Sequence, residues 1–88
     1  MKLEFHHGGK SMKTLKSKEM VDEAVSEIER MAPKNSHVEI DVKEEPIGHF
    51  STLIKLKAWN KTYVVKKEDM FFYKSFNKAV KALKAKLQ

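Results

Sequence analysis

Hydrophobic and polar residues alternate in two ways along this chain, and together the two patterns predict six elements. Alternation of polar and apolar residues, which is typical of strands with one buried face, occurs in residues 2–7 and strictly in residues 37–43, and residues 50–59 and 62–67 are also predicted to be strands. Apolar residues at steps of three and four, which are typical of helices with one buried face, occur between Ser17 and Pro33 and again in residues 69–88. The predicted order is strand, helix, three strands, helix.

The first helix is expected to follow a polar, basic loop over residues 10–17. Thr14 or Ser17 can cap its N-terminus, which puts Glu19 in the first turn, and Pro33 stops it. Its apolar stripe, which we expect to be buried, consists of Met20, Val21, Ala24, Val25, Ile28 and Met31.

Two turns separate the last three strands. Pro46 and Gly48 mark the first of these, within residues 44–49. Asn60-Lys61 is predicted to form a tight hairpin, because Asn tolerates the positive φ that such turns require. Trp59 and Tyr63 lie near this hairpin, where stacking on nucleic-acid bases is possible but packing between the strands is favoured.

This order predicts an α+β fold, a two-layer β-α-β-β-β-α sandwich that occupies residues 1–88 as a single domain. A right-handed crossover through the first helix should make strands one and two parallel. Short turns should make strands two to four an antiparallel meander, so the four-stranded sheet is mixed. Both helices carry apolar stripes, and we expect them to cover one face of that sheet.

The last helix separates apolar residues from positive charge. At about 100° per residue, Lys74, Lys78 and Lys81 lie on the side opposite the apolar stripe, and Lys84 lies at the edge of that side. The apolar stripe consists of Phe72, Phe76, Ala79, Val80, Leu83 and Leu87. The lysines are either an ordinary solvated face or a phosphate-binding row. Their uniform sign favours the second interpretation, since solvated faces usually mix charges.

Charge is segregated along the whole chain, whose net charge is +6. Residues 1–18 carry five lysines and one acid, residues 19–45 three basic and nine acidic residues, and residues 46–88 ten basic and two acidic residues. The net charges of these segments are therefore +4, −6 and +8. Such a chain is expected to present a basic side suited to nucleic acid, although acidic proteins and anionic lipid are also possible partners.

Composition and motifs predict a soluble, cytoplasmic binding protein that is not an enzyme. The chain has no cysteine, no apolar run long enough to span a membrane, no secretion signal and no phosphate-cradling glycine loop. We therefore expect no catalytic residue, cofactor or small-molecule substrate. A metal site is not expected either, because His6 and His7 point to opposite faces of a strand and His37 and His49 complete no known ligand spacing.

The segment Tyr73–Leu87 resembles the closing helix of the ribosome hibernation-promoting and ribosome-associated inhibitor family. That helix typically reads Tyr-x-Ala-Ile-Asp-x-Ala followed by two x-x-x-Leu steps. Here Tyr73, Ala79, Leu83 and Leu87 match without a gap, and Phe76-Asn77 replaces Ile-Asp. Residues 68–70 resemble the acidic start of the family's helix, with Phe71-Phe72 as a two-residue insertion. The element order agrees over nearly the whole chain.

The resemblance implies a translation inhibitor that occupies the channel for messenger and transfer RNA on the small ribosomal subunit. The chain would be a short form without a dimerising second domain, and a monomer when free. Ribosomal RNA would be bound by lysines of the last helix and of the N-terminal loop, namely Lys74, Lys78, Lys81, Lys84, Lys10, Lys13 and Lys16.

The sequence departs from the family in two places. Ala82 and Ala85 stand where relatives often carry basic residues, and the first helix carries glutamates where relatives usually have lysine. The alternative function is another RNA-binding or acidic-protein-binding module with no ribosomal role, because double-stranded-RNA-binding domains share part of this element order.

Overall fold

The computed structural model describes residues 1–8 and 15–88, with side chains for residues 1–6 and 18–88. The element order agrees with the prediction. The elements are β1 (Lys2–Gly8), α1 (Leu15–Met31), β2 (His37–Glu44), β3 (Phe50–Ala58), β4 (Lys61–Asp69) and α2 (Phe72–Leu87).

The four strands form one mixed sheet in the spatial order β1-β2-β3-β4. β1 pairs with β2 in parallel, and the other two pairs are antiparallel, as predicted. The register aligns Val38 with Leu56 and Ile40 with Ile54, and these four side chains are buried. The pairing therefore gathers the apolar members of each alternation on one face of the sheet.

Both helices contribute to a single core with that apolar face. α2 packs on β3 and β4 and also contacts α1. Ile28 of α1 and Phe76 and Leu83 of α2 have at most 1% of their surface exposed, and they belong to the same cluster as the strand residues. The predicted two-layer α+β sandwich is thus confirmed. Among the described residues, no helix is long and apolar enough to cross a membrane.

Helix α1 begins earlier than the sequence predicts. Its first residue is Leu15, so Ser17 lies within the helix rather than capping it, and Glu19 lies beyond the first turn. Leu15 and Lys16 are good helix formers, and this propensity extends the helix into the predicted loop. Thr14, the other proposed cap, lies outside the described residues.

The hairpin between β3 and β4 is centred one residue earlier than predicted. Ala58 pairs with Lys61, which leaves Trp59 and Asn60 as the two turn residues, with φ angles of 53° and 59°. Two-residue hairpin turns whose central residues both have positive φ match the twist of the flanking strands. Lys61 therefore belongs to the strand, and Trp59 adopts a conformation that large side chains rarely adopt.

β4 and α2 also differ from the prediction at their junction. β4 continues to Asp69, and α2 begins at Phe72, so Glu68 and Asp69 end a strand instead of beginning the helix. Asp69 still supports the junction, because its Oδ1 accepts a hydrogen bond from the Phe71 amide at 3.2 Å.

A buried hydrogen bond fixes the start of α2 to the sheet. The hydroxyls of Thr52 in β3 and Ser75 in α2 lie 2.9 Å apart, and both residues are fully buried. Ser75 Oγ donates to the Phe72 carbonyl at 2.9 Å, so its remaining lone pairs can accept the Thr52 proton. This contact helps to set which face of α2 points outward.

Candidate nucleic-acid interface

Three lysines form a row along the outer face of α2. Lys74, Lys78 and Lys81 are all exposed and follow one another at steps of four and three residues. Phe76 and Leu83 are buried on the opposite side, so the packing of the core turns this row toward solvent. We call Lys74, Lys78 and Lys81 the α2 lysine row.

Lys78, the middle member of the row, is paired within the molecule. Its Nζ lies 2.6 Å from Asp69 Oδ2 and donates a hydrogen bond to it. The hydrogen bond from Lys78 is the main cause that lowers the pKa of Asp69, and the amide of Phe71 lowers it further. Much of the positive charge of Lys78 is therefore offset by a neighbouring carboxylate.

Lys84 is not part of the row. It is half-buried and forms an ion pair with Glu27 of α1. This pair joins the two helices, so a glutamate of α1 helps to hold α1 against the basic helix α2. The predicted RNA-binding role of Lys84 thus competes with an intramolecular one.

Lys81 and Lys74 are the row members with the most available charge. Among the described residues, Lys81 has no ion-pair or hydrogen-bond partner. Lys74 lies over the ring of Phe71, with its Nζ 5.2 Å from the ring centroid. A cation above an aromatic face keeps its charge available to a further anion.

An exposed aromatic ledge, formed by Met70, Phe71 and Tyr73, adjoins the N-terminal end of the row. These side chains are 71%, 49% and 48% exposed. The rings of Phe71 and Tyr73 stack with centroids 5.7 Å apart and planes 29° apart. Such a ledge can stack on unpaired bases or pack against another apolar surface.

The sequence carries a signal for this ledge. Phe71, Phe72 and Tyr73 are consecutive, and the side chains of Phe72 and Tyr73 point about 100° apart around the helix. Phe71 precedes the helix with an extended backbone, so the three rings do not share one buried stripe. Phe72 points to the core, packing against Phe50 and Phe76 with centroids 6.3 and 5.6 Å away.

Additional lysines lie on the neighbouring edge strand. Lys61, Lys66 and Lys67 of β4 are exposed. Lys86 of α2 reaches the same strand, where its Nζ donates to the Val64 carbonyl at 3.0 Å. Because α2 packs on β3 and β4, the basic C-terminal half of the sequence becomes one basic half of the fold. Lysines on an edge strand also discourage pairing with other chains, so these three have a structural explanation as well.

The described part of the structure does not include the side chains of the remaining predicted site residues. Lys10 and Lys13 lie outside the described residues. Lys16 lies within α1, but its side chain is not among those described. Their role remains a prediction.

The two aromatic residues at the β3–β4 hairpin pack against each other, as favoured from the sequence. The rings of Trp59 and Tyr63 meet edge to face, with centroids 6.3 Å apart and planes 85° apart. Trp59 nevertheless remains 50% exposed.

Comparison with solved structures identifies the same fold elsewhere. The N-terminal domain of Thermus thermophilus Protein Y superposes with a TM-score of 0.81 at 15% sequence identity, covering 99% of this chain and 96% of that one. A ribosomal subunit interface protein from Coxiella burnetii gives a TM-score of 0.78 at 16% identity, covering 99% and 93%. No protein-family model and no curated protein sequence matches the chain. At these identities the likeness shows a shared fold.

Proposed function

We propose that this protein is a non-enzymatic, cytoplasmic ribosome-binding factor that inhibits translation. It binds the small ribosomal subunit in the channel for messenger and transfer RNA, with the α2 lysine row against ribosomal RNA. The observation that carries the proposal is that the fold is shared over 99% of the chain with a protein described as a ribosomal subunit interface protein.

The surface chemistry of α2 supports this proposal. Lys74 and Lys81 offer two cations on a rigid helix, where their spacing is fixed by the buried face beneath. Lysines that neutralise phosphates release bound counterions, which gives an affinity that falls steeply with salt. Binding of this kind follows the shape and backbone of folded RNA and needs no base-specific contact.

The aromatic ledge extends the same contact surface. Stacking on an unpaired base contributes about 1–3 kcal/mol per base in single-strand-binding proteins. Phe71 and Tyr73 are exposed and stacked beside Lys74, so they can meet a base next to the phosphate that Lys74 contacts. Inhibition itself is steric, because a folded domain in the channel excludes messenger and transfer RNA.

Co-sedimentation with purified small ribosomal subunits tests the proposal. The wild-type protein should travel with the subunits at low salt and leave them at high salt, and it should lower translation in a cell-free system. Failure to co-sediment at low salt would refute ribosome binding. Equal binding to any duplex RNA without preference for the subunit would favour the alternative RNA-binding module.

A matched pair of triple variants tests the location of the surface. In the first, the α2 lysine row is changed to Gln. In the second, Lys43, Lys55 and Lys57, which are exposed on the sheet face away from the helices, are changed to Gln. Both variants lose the same charge. The first should lose binding and the second should keep most of it; equal losses would mean that only net charge matters.

A further inference from the structure

The sheet face away from the helices carries a cluster of carboxylates and imidazoles on β1 and β2. The parallel register aligns Glu4 with Glu39 and His6 with Asp41. His37 begins β2 on the same face, two residues before Glu39. Because alternate strand residues share a face, these five side chains lie together on adjacent strands. We call them the β1–β2 cluster.

Three members of the cluster have donor atoms that converge. One ligand atom from each of His6, Glu39 and Asp41 lies within 4.8 Å of the other two. Glu4 adjoins them, with its Oε2 3.7 Å from His6 Nε2. The cluster therefore offers an imidazole and two carboxylates around one point, with a third carboxylate beside it.

The carboxylates of the cluster lack lysine or arginine partners. Among the described residues, neither Glu39 nor Asp41 forms an ion pair within 4.0 Å, and Glu4 meets only the imidazoles of His6 and His37. The His37 Nε2 atom is buried and makes no hydrogen bond, although Glu4 Oε1 is 3.5 Å away. No described lysine or arginine therefore lies within ion-pair distance of these carboxylates.

Lysines of β2 and β3 lie on the same face of the sheet as the cluster. Lys55 is in register opposite Glu39, and Lys43 follows Asp41 by two residues on the same face. Neither forms an ion pair with the cluster among the described residues. The side chains that face the cluster from β3 are Lys57 opposite His37, Lys55 opposite Glu39, and the uncharged Leu53 opposite Asp41.

We propose that the β1–β2 cluster binds a divalent first-row transition-metal ion of the Zn²⁺ type through His6, Glu39 and Asp41. Glu4 or water completes the coordination. Mixed imidazole and carboxylate donors suit Zn²⁺ and its neighbours, whereas Ca²⁺ and Mg²⁺ prefer all-oxygen sites. Ligand spacing along the chain does not reveal this site, since the carboxylates come from a strand more than thirty residues beyond His6.

The geometry requires only a small side-chain movement. Bonds of about 2.0–2.2 Å place tetrahedral ligands roughly 3.3–3.6 Å apart, so the donor atoms must close by about 1 Å. The His6 side chain is 60% exposed and free to rotate, while Glu39 and Asp41 are half-buried on a strand paired on both sides. The ion would connect the edge strand β1 to β2, a site separate from the α2 lysine row and independent of the proposed function.

Calorimetric titration of the full chain with ZnCl₂ tests this site, with CoCl₂ as a spectroscopic probe. We expect one ion per chain, a visible Co²⁺ absorption typical of a low-symmetry site, and a melting temperature raised on the order of 10 °C at a hundredfold excess over Kd. The variants His6→Gln and Asp41→Asn should each weaken binding at least tenfold. Lys55→Gln should strengthen it, because it removes a positive charge in register opposite Glu39.

His49→Gln is the matched control. His49 Nε2 lies 3.9 Å from Glu68 Oε2, so it forms a comparable imidazole–carboxylate pair at a different part of the sheet. This variant should bind zinc as the wild type does. The proposal is overturned if no saturable binding is measured, or if His49→Gln weakens binding as much as His6→Gln. Far-UV circular dichroism establishes that each variant remains folded.

Discussion

The pairing of Lys78 with Asp69 makes a specific prediction about which lysines contact RNA. If the pair persists in the complex, removing both of its members together should change the affinity for the ribosomal subunit little. The variant Asp69→Asn with Lys78→Gln keeps the net charge at +6 and removes both members. The carboxamide oxygen introduced by Asp69→Asn can still accept the hydrogen bond from the Phe71 amide, so the start of α2 is preserved.

The expected magnitudes follow from counterion release. Each phosphate neutralised contributes about 0.7–0.9 to the slope of log K against log salt, which is roughly five- to eightfold in affinity at about 0.1 M salt. Lys81→Gln should lose that factor, because Lys81 has no partner among the described residues. The double variant should bind within about twofold of wild type. Asp69→Asn alone should gain up to the same factor, because it frees Lys78.

Equilibrium binding to small ribosomal subunits over a range of salt concentrations measures both the affinities and the slopes. A double variant that loses as much as Lys81→Gln would refute the reasoning, since Lys78 would then leave Asp69 to contact RNA itself. A separate measurement detects the pair in free protein. Because the pKa of Asp69 is lowered, the pair stabilises the fold at neutral pH. This contribution is lost progressively as the pH falls below 3.8, the ordinary pKa of an aspartate, and through the lower pKa of the folded state. Wild type should therefore exceed Asp69→Asn in stability at neutral pH and lose that advantage in acid.

Three further predictions concern the fold. Phe76→Ala should lower the free energy of unfolding by about 3–5 kcal/mol in urea, because only 1% of the residue is exposed, and a loss below about 1 kcal/mol would contradict the packing. Ser75→Ala should cost about 1–3 kcal/mol by leaving the buried Thr52 hydroxyl without a partner, and adding Thr52→Val should recover most of that loss. Trp59→Asn should keep the free energy of unfolding, measured by thermal denaturation, within about 1 kcal/mol of wild type, because Asn tolerates the positive φ and this offsets the lost edge contact with Tyr63. A loss above about 2 kcal/mol would show that the contact with Tyr63 dominates.

The strands and the packing of the helices could be predicted because burial imposes a period on the sequence. The alternation in β2 and β3 assigns Ile40 and Ile54 to the same face, and the register confirms it. Element ends were less predictable, since they depend on local balances that periodicity does not report. Leu15 extends α1, and the twist of the hairpin selects Trp59-Asn60 over Asn60-Lys61.

The lysine row could be predicted for the same reason, but the partners of Lys78 and Lys84 could not. Helical spacing is enough to put Lys74, Lys78 and Lys81 on one side. Asp69, the partner of Lys78, ends the preceding strand. Glu27, the partner of Lys84, lies on the other helix, fifty-seven positions earlier in the chain. Contacts of this kind depend on how elements pack, which a single sequence does not encode locally.

The distribution of charge in the fold accounts for the acidic first helix without requiring that it contact RNA. The basic half, formed by β3, β4 and α2, lies at one end of the sheet, and the carboxylates of the β1–β2 cluster lie at the other. Glu27 pairs with Lys84 at the boundary between the helices. A domain polarised in this way has one orientation in which it approaches a phosphate surface favourably, with the α2 lysine row first. The glutamates of α1 would then disfavour binding in the opposite orientation. Changing Glu23 and Glu29 to Lys should therefore speed association in stopped-flow mixing, and the association rate should depend less on the α2 lysine row.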